Sequence, residues 1–380
     1  MAAANPTSTL ELRSLVTADG ELEISLQEAA VPAPTPTQVV VRVEAAPINP
    51  SDLGLLLAGA DVGKASFGGT PERPVVRIAL EERAMRGLGG RVGKSLSVGN
   101  EGAGVVVAAG SDAAAQDLLG RVVAIAGGAM YAEYRVVEAS QCLVLPEGMA
   151  ARTGASSFVN PMTTLGMIGT MRNEGHTALI HTAAASNLGQ MLVKLCREEG
   201  VGLVNIVRNP EHERLLADLG ATHVCDSTSA TFMKDLIAAV GETGATLAFD
   251  AVGGGALASQ ILTCIEAASA ASMSEYSRYG STTHKQVYIY GGLDTSPTVL
   301  TRGFGFAWGV SGWLVSSFLQ GVSPTEFQAL RQRVAAGLDS TFLSTYTKDV
   351  SLAEALQADA LIGYSKKATG EKYLVTPAGH

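Results

Sequence analysis

The run Ala184-Ala185-Ser186-Asn187-Leu188-Gly189 follows an apolar stretch, Thr177 to Ala183, and precedes a segment whose apolar residues Met191, Leu192 and Leu195 recur with helical period. Ala184, Ser186 and Gly189 stand at the three glycine positions of a G-x-G-x-x-G turn. Small residues there let the backbone approach a pyrophosphate, which rests on the helix N-terminus. An ordinary tight strand-to-helix turn is the alternative, and the alternation of strands and helices around it favours the nucleotide. The next strand, Gly202 to Val207, ends at Arg208, where an NAD-selective site places an acid for the ribose 2′-hydroxyl. An arginine there pairs bidentately with a 2′-phosphate, which makes NADPH the expected cofactor; a solvated arginine at a strand end is the alternative.

Other reactive side chains carry less. His181 ends the strand before the turn, where a histidine is more often structural than catalytic. Cys142, Cys196, Cys225 and Cys264 are widely spaced in apolar segments and read as small buried hydrophobes of a reduced compartment. No histidine precedes His176 and only Cys142 among the cysteines does, so the first part of the chain lacks a ligand cluster and no metal is expected. Tyr131 and Tyr134 read as core. Trp308 and Trp313 either wall an acceptor pocket or fill a domain junction.

Two kinds of element must position these residues. The first part is β-rich: ELRSLVT, ELEISLQEA, QVVVRVEAA, GAGVVVAAG and GRVVAIAG alternate or run β-branched, with Asp19-Gly20 and VPAPTPT as turns. From Asn160 onward strands alternate with helices up to KQVYIYGG, which implies right-handed βαβ units and a doubly wound parallel sheet. A chain of 380 residues favours two domains. A formal net charge of −9 and no basic stripe argue against nucleic acid. No stretch is long and apolar enough for a bilayer, and the start lacks a secretory pattern, so a cytoplasmic protein is expected.

Landmark segments then carry a resemblance: Asn49-Pro50-Ser51-Asp52, Gly99-Asn100-Glu101-Gly102-Ala103-Gly104, Asn160-Pro161-Met162-Thr163-Thr164-Leu165-Gly166 and Phe249-Asp250-Ala251-Val252-Gly253-Gly254. The chain resembles the medium-chain dehydrogenase/reductase superfamily, within it most the zinc-independent quinone oxidoreductases and the 2-enoyl thioester reductases. The resemblance implies a GroES-like β domain over 1–158, completed by 316–380, and a Rossmann-type NADPH-binding domain over 159–315, with the cofactor in the cleft between them. It implies hydride transfer from NADPH to a quinone or other α,β-unsaturated carbonyl, with Asn49, Asp52 and Thr163 as the catalytic set. For the cofactor it implies Asn49, Thr163, Thr164, Ala184, Ser186, Asn187, Leu188, Gly189, Arg208, Gly253, Tyr290, Gly291 and Gly292.

The sequence departs from the family in two places. Asn100 replaces the histidine of the zinc-dependent branch's G-H-E motif. No tyrosine occurs from Asp52 to Met130, where the enoyl thioester reductases carry one that helps to protonate the product. The stretch from Gly59 to Val98, rich in Gly and Arg, reads as a long insertion, either a binding element that selects the acceptor or a solvated flap. The strand Gln286 to Tyr290 is expected at a sheet edge, through which the resemblance implies a homodimer. An enoyl thioester reductase and a non-catalytic NADPH-binding sensor or structural protein are the rival readings.

Overall fold

The computed structural model describes residues 6–377. They divide into two compact units, one reaching Val159 and resuming at Arg331, the other spanning Asn160–Leu330.

In the first unit, alternation builds two sheets around one core, antiparallel except where Lys348–Val350 pairs parallel with Tyr373–Val375. Leu12 and Val16 on the strand Ser8–Val16 and Leu22 and Ile24 on Glu21–Ala30 turn inward. They join Val41, Val43, Val76, Ile78, Val123 and Ile125 in a single buried cluster. One sheet orders its strands Ser66–Gly69, Pro74–Ala79, Glu21–Ala30, Ser8–Val16 and Ser95–Ser97. The other runs Leu143–Val144, Val122–Ala126, Glu101–Ala109, Gln38–Pro47, Tyr373–Val375 and Lys348–Val350, so the end of the chain returns to pair with Gln38–Pro47. This is the expected β-rich domain.

The stretch from Gly59 to Val98 is built into the first sheet and is not an appended flap. It supplies three of the five strands in the first sheet. Val76 and Ile78 face Ile24 and Leu22 and are fully buried, and Ser97 pairs with Arg13. Its composition misled because short strands broken by glycine and arginine show little period. Two of its arginines are engaged within the unit: Arg77 donates twice to Glu23, at 3.0 and 2.7 Å, and Arg91 donates to Ser14 Oγ at 3.1 Å.

In the second unit the strands run parallel in the order His223–Asp226, Gly202–Val207, Ala178–Thr182, Leu247–Asp250, Lys285–Ile289 and Trp308–Gly312. Numbered along the chain this order is 3-2-1-4-5-6, the doubly wound arrangement in which ligands bind where the winding reverses. Every residue of Ala178–Thr182 and of Leu247–Asp250 is buried, as strands covered on both faces must be. The fold is therefore α/β, a Rossmann-type domain joined to a GroES-like β domain.

Two expectations need correction. The return to the first unit comes at Arg331 and not at 316, because Trp313 and Phe318 pack within the second unit. Trp313 lies edge-on to Phe249 at 5.1 Å and donates from Nε1 to Thr170 at 3.1 Å, while the Phe318 ring covers Gly166 and Gly169. The strand Lys285–Ile289 is not the sheet edge. Trp308–Gly312 covers it, and the Trp308 ring packs against Phe304 at 4.8 Å. A strand reading Trp-Gly-Val-Ser-Gly has too little β character to be seen in sequence.

Lys285, which starts the fifth strand, is fully buried and donates to Glu266 Oε2 at 2.6 Å, Ser281 Oγ at 3.1 Å and the Thr283 carbonyl at 2.9 Å. Burial alone would raise the Glu266 carboxyl, but hydrogen bonds from Lys285 and Ser281 outweigh it and hold the group below the usual carboxylate range. Replacing Lys285 with Met leaves a buried carboxylate unpaired, and a stability loss of about 3–5 kcal/mol is expected in urea unfolding near neutral pH. Because the folded carboxyl is depressed, this contribution is present above the ordinary Glu pKa and lost as pH falls through the folded value. The gap between wild type and Lys285→Met should therefore narrow in acid; a gap independent of pH would contradict the pairing.

Candidate cofactor site and polar cluster

The nucleotide turn is built from three local constraints. Ala183 leaves the first strand with φ 51°, in the left-handed region. Ser186 then caps the helix Asn187–Glu199, its hydroxyl accepting from the Gly189 N–H at 3.2 Å. Gly189 itself packs so close to the first bend that a Cβ would run into the Ala184 carbonyl oxygen. That contact draws the start of the helix Asn187–Glu199 against the end of the first strand. A helix start of this kind suits a pyrophosphate.

The neighbouring strand ends are tied together by Asp250, fully buried at the end of Leu247–Asp250. Its Oδ1 accepts from Thr182 Oγ1 at 2.7 Å and from the Val252 N–H at 2.9 Å, and its Oδ2 from the Gly253 N–H at 3.1 Å. Thr182 Oγ1 also accepts from the Ala251 N–H at 2.8 Å. Gly253, at φ 81°, lies where a Cβ would meet the Gly291 carbonyl oxygen at 2.8 Å. Tyr290 is half-buried, and its hydroxyl lies 2.7 Å from His181 Nε2 with the two rings stacked 5.8 Å apart. Burial pulls the His181 imidazole down to about 3, so it is neutral. Its place is that of a structural partner of Tyr290.

Arg208 is exposed at the end of Gly202–Val207. Hydrogen bonds from Ser296 and the charge of Arg208 hold the exposed Asp294 carboxyl below its usual range, so this guanidinium already lies in the field of an acid. On the helix Val159–Asn173, Thr163 and Thr164 are buried, and Thr164 donates its hydroxyl to the Pro161 carbonyl at 2.8 Å. These residues all belong to the second unit; Asn49 and Asp52 belong to the first.

There, Asn49 and Asp52 meet Asn100 and Glu101 in a buried cluster. Asp52 starts the helix Asp52–Leu57, and its two oxygens accept from the backbone N–H of Asn49 at 2.8 Å and of Asn100 at 2.7 Å. Burial pushes the Asp52 carboxyl up to about 7 against these two N–H groups, and the charge of Glu101 adds to the rise. Glu101 Oε1 accepts from Asn49 Nδ2 at 2.8 Å, while Oε2 accepts from the N–H of Phe158 at 2.7 Å and of Val159 at 2.9 Å. Burial raises the Glu101 carboxyl, opposed by Lys372 and these donors. Lys372 donates to Ser156 Oγ at 2.9 Å, and Tyr346 donates to the same oxygen at 3.0 Å. Burial pulls the Lys372 ammonium down to about 8, with Glu101 and Asp52 holding it up. Asn49 is 1% exposed, and its Oδ1 has no partner, an omission that costs about 1–3 kcal/mol in a buried site.

Of this cluster, sequence reasoning singled out Asn49 and Asp52 and passed over Glu101, Ser156, Tyr346 and Lys372. Glu101 lies in a quoted landmark; the other three are scattered along the chain with no spacing to reveal them. Among the described residues no group of three or more His, Cys, Asp or Glu could hold a metal ion. The carboxylates of this cluster, Asp52 and Glu101, already accept N–H groups.

Substituting Gly189 with Ala should force the strand and helix apart. A cost of about 1–3 kcal/mol in stability is expected, with a loss of dinucleotide affinity in direct titration. Unchanged affinity would show that the close approach serves only the fold.

The chain is similar to proteins that share this architecture. Residues 187–273 match the family model described as zinc-binding dehydrogenase, a stretch confined to the second unit. The synaptic vesicle membrane protein VAT-1 homolog of Rattus norvegicus is 28% identical over 239 residues, 62% of this chain and 51% of that protein. The mitochondrial enoyl-[acyl-carrier-protein] reductase of Xenopus tropicalis is 28% identical over 244 residues, 61% of each chain. The match thus spans about half the length of the first of these relatives. A solved structure assigned as an NADPH:quinone reductase from Mesorhizobium loti is 26% identical, covers 98% of this chain and 100% of its own, and superposes with a TM-score of 0.72. In its strand order, its nucleotide turn and these relatives, the chain is similar to the medium-chain dehydrogenase/reductase superfamily.

Proposed function

We propose that this protein is an NADPH-dependent oxidoreductase that passes a hydride to a quinone or another small α,β-unsaturated carbonyl compound without zinc. The observation that carries the reading is the turn Ala184 to Gly189 at the reversal point of a 3-2-1-4-5-6 sheet, with Arg208 and no acid at the end of the second strand. Ser186, Asn187, Leu188 and Gly189 would cradle the pyrophosphate, Arg208 the 2′-phosphate, and Gly253 with Tyr290, Gly291 and Gly292 the strand-end side of the site, with Thr163 and Thr164 close to the cofactor. When bound, NADPH supplies the hydride. The chain's part is to orient the reactants, exclude water and present polar groups where charge develops. The M. loti structure, assigned as an NADPH:quinone reductase, supports the acceptor class.

The match to enoyl-[acyl-carrier-protein] reductases favours a second reading, an enoyl thioester acceptor. The lack of tyrosine between Asp52 and Met130 speaks against it. A panel of quinones, enones and enoyl thioesters, followed by NADPH oxidation, separates the two. NADPH binding with no oxidation by any acceptor would favour a non-catalytic cofactor-binding protein.

Replacing Arg208 with Ala should weaken NADPH binding by about 1.5–3 kcal/mol while NADH binding changes little. Equal losses for both cofactors would contradict the assignment of the 2′-phosphate.

The edge strand Trp308–Gly312 supports a homodimer, since an uncovered edge offers unpaired N–H and C=O groups to a second copy. Light scattering at micromolar concentration should give twice the chain mass; a monomer would overturn this reading.

A further inference from the structure

Lys372 stands immediately before the strand Tyr373–Val375, half-buried within the first unit. Its ammonium is held among hydroxyls. Nζ donates to Ser156 Oγ at 2.9 Å and to Ser344 Oγ at 3.4 Å, and it lies 5.5 Å from the centre of the Tyr346 ring. The Tyr346 hydroxyl donates to the same Ser156 oxygen at 3.0 Å, so one serine links the amine to a phenol. Glu101 already accepts N–H groups from Asn49, Phe158 and Val159, so its hydrogen bonds do not require the lysine. Burial pulls the ammonium down to about 8, against Glu101 and Asp52, which leaves about a tenth of it as free amine at pH 7. A neutral amine accepts, and the Ser156 hydroxyl can then turn its own hydrogen to Nζ while Tyr346 stays bonded to the serine oxygen.

We infer that Lys372 is a carbonyl-capturing amine, which binds a small aldehyde covalently as a Schiff base with Ser156 and Tyr346 as its proton relay. The amine nitrogen adds to the carbonyl carbon: the N–C bond forms, the π pair moves to oxygen, and a proton passes from nitrogen to that oxygen through the hydroxyls. The proton that the ammonium first gave up then returns, the C–O bond of the carbinolamine breaks, and water leaves. The net reaction takes ammonium and aldehyde to protonated imine and water. Loss of water from a carbinolamine needs an acid within reach, and the relay supplies one. The charge around the amine selects this chemistry. Ammonium becomes iminium, so the cation that opposes the rise at Glu101 is kept. Acylation of the amine would erase that cation and leave the buried carboxyls of Glu101 and Asp52 uncompensated.

The test is competition among the lysines of the intact protein. The full chain is treated with propanal and cyanoborohydride at pH 7, and propylated lysines are quantified at early times by peptide mass spectrometry. Propanal has no conjugated double bond, so the label reports imine formation alone. Lys372 should be labelled about tenfold faster than the exposed Lys64, Lys366 and Lys367, because the fraction of free amine sets the rate. Equal or slower labelling of Lys372 would overturn the inference.

Two variants examine the relay. Tyr346→Phe keeps the ring that faces Lys372 and, at 5.2 Å, Arg152, and removes only the hydroxyl. Labelling of Lys372 should fall about tenfold while the three exposed lysines keep their rates. Ser156→Ala should lower the rate as far, and the double variant should cost little more, since both changes cut one path. An unchanged rate in Tyr346→Phe, or additive losses in the double variant, would overturn the relay. Thermal melts establish that the variants fold, and the competition in wild-type protein decides without any variant. No step involves NADPH, so failure here leaves the oxidoreductase reading untouched.

Discussion

The nucleotide-binding unit depends on the junction between its first and fourth strands. In a parallel sheet the C-terminal strand ends splay toward the ligand, and their backbone N–H groups need partners that a ladder no longer supplies. Asp250 answers this need with three hydrogen bonds, from Thr182 Oγ1 and the N–H groups of Val252 and Gly253. With these in place the chain leaves both strands along fixed paths. Ala183 can turn left-handed, the helix Asn187–Glu199 can close on Ala184, and Gly253 can pack against Gly291. The nucleotide turn is thus the visible end of a buried carboxylate's work.

The first unit shows a related economy at Glu101. One carboxylate satisfies two backbone N–H groups at the last residues before the second unit and also orients Asn49. Its neighbour Asp52 does the same for the backbone of Asn49 and Asn100. Burial raises both acids, the charge of Glu101 raises Asp52 further, and Lys372 opposes the rise at Glu101 with a cation held on Ser156. The polar cluster is therefore interdependent, and a change at one member alters the protonation of the others.

Much of this was legible in the sequence, and the parts that were not share a cause. The alternation of strands and helices after Asn160 gave the doubly wound sheet, because central parallel strands are continuous apolar runs such as Ala178–Thr182. The role of Gly59 to Val98 was hidden because its strands are short and separated by turns rich in glycine and arginine, so burial of Val76 and Ile78 is secured by pairing with Glu21–Ala30. The edge strand Trp308–Gly312 was hidden for the same reason, and the edge was expected one strand too early. Asn49 and Asp52 could be named from a motif, whereas Lys372, Ser156 and Tyr346 meet only through tertiary structure.

A crystal structure with NADPH bound tests the central claim, that the Ser186–Gly189 turn and Arg208 form a site for a 2′-phosphorylated dinucleotide. The account predicts the pyrophosphate against the first-turn N–H groups of the helix Asn187–Glu199 and the 2′-phosphate within hydrogen-bond distance of the Arg208 guanidinium. A pyrophosphate bound away from this turn, or a 2′-phosphate that leaves Arg208 in solvent, would contradict it.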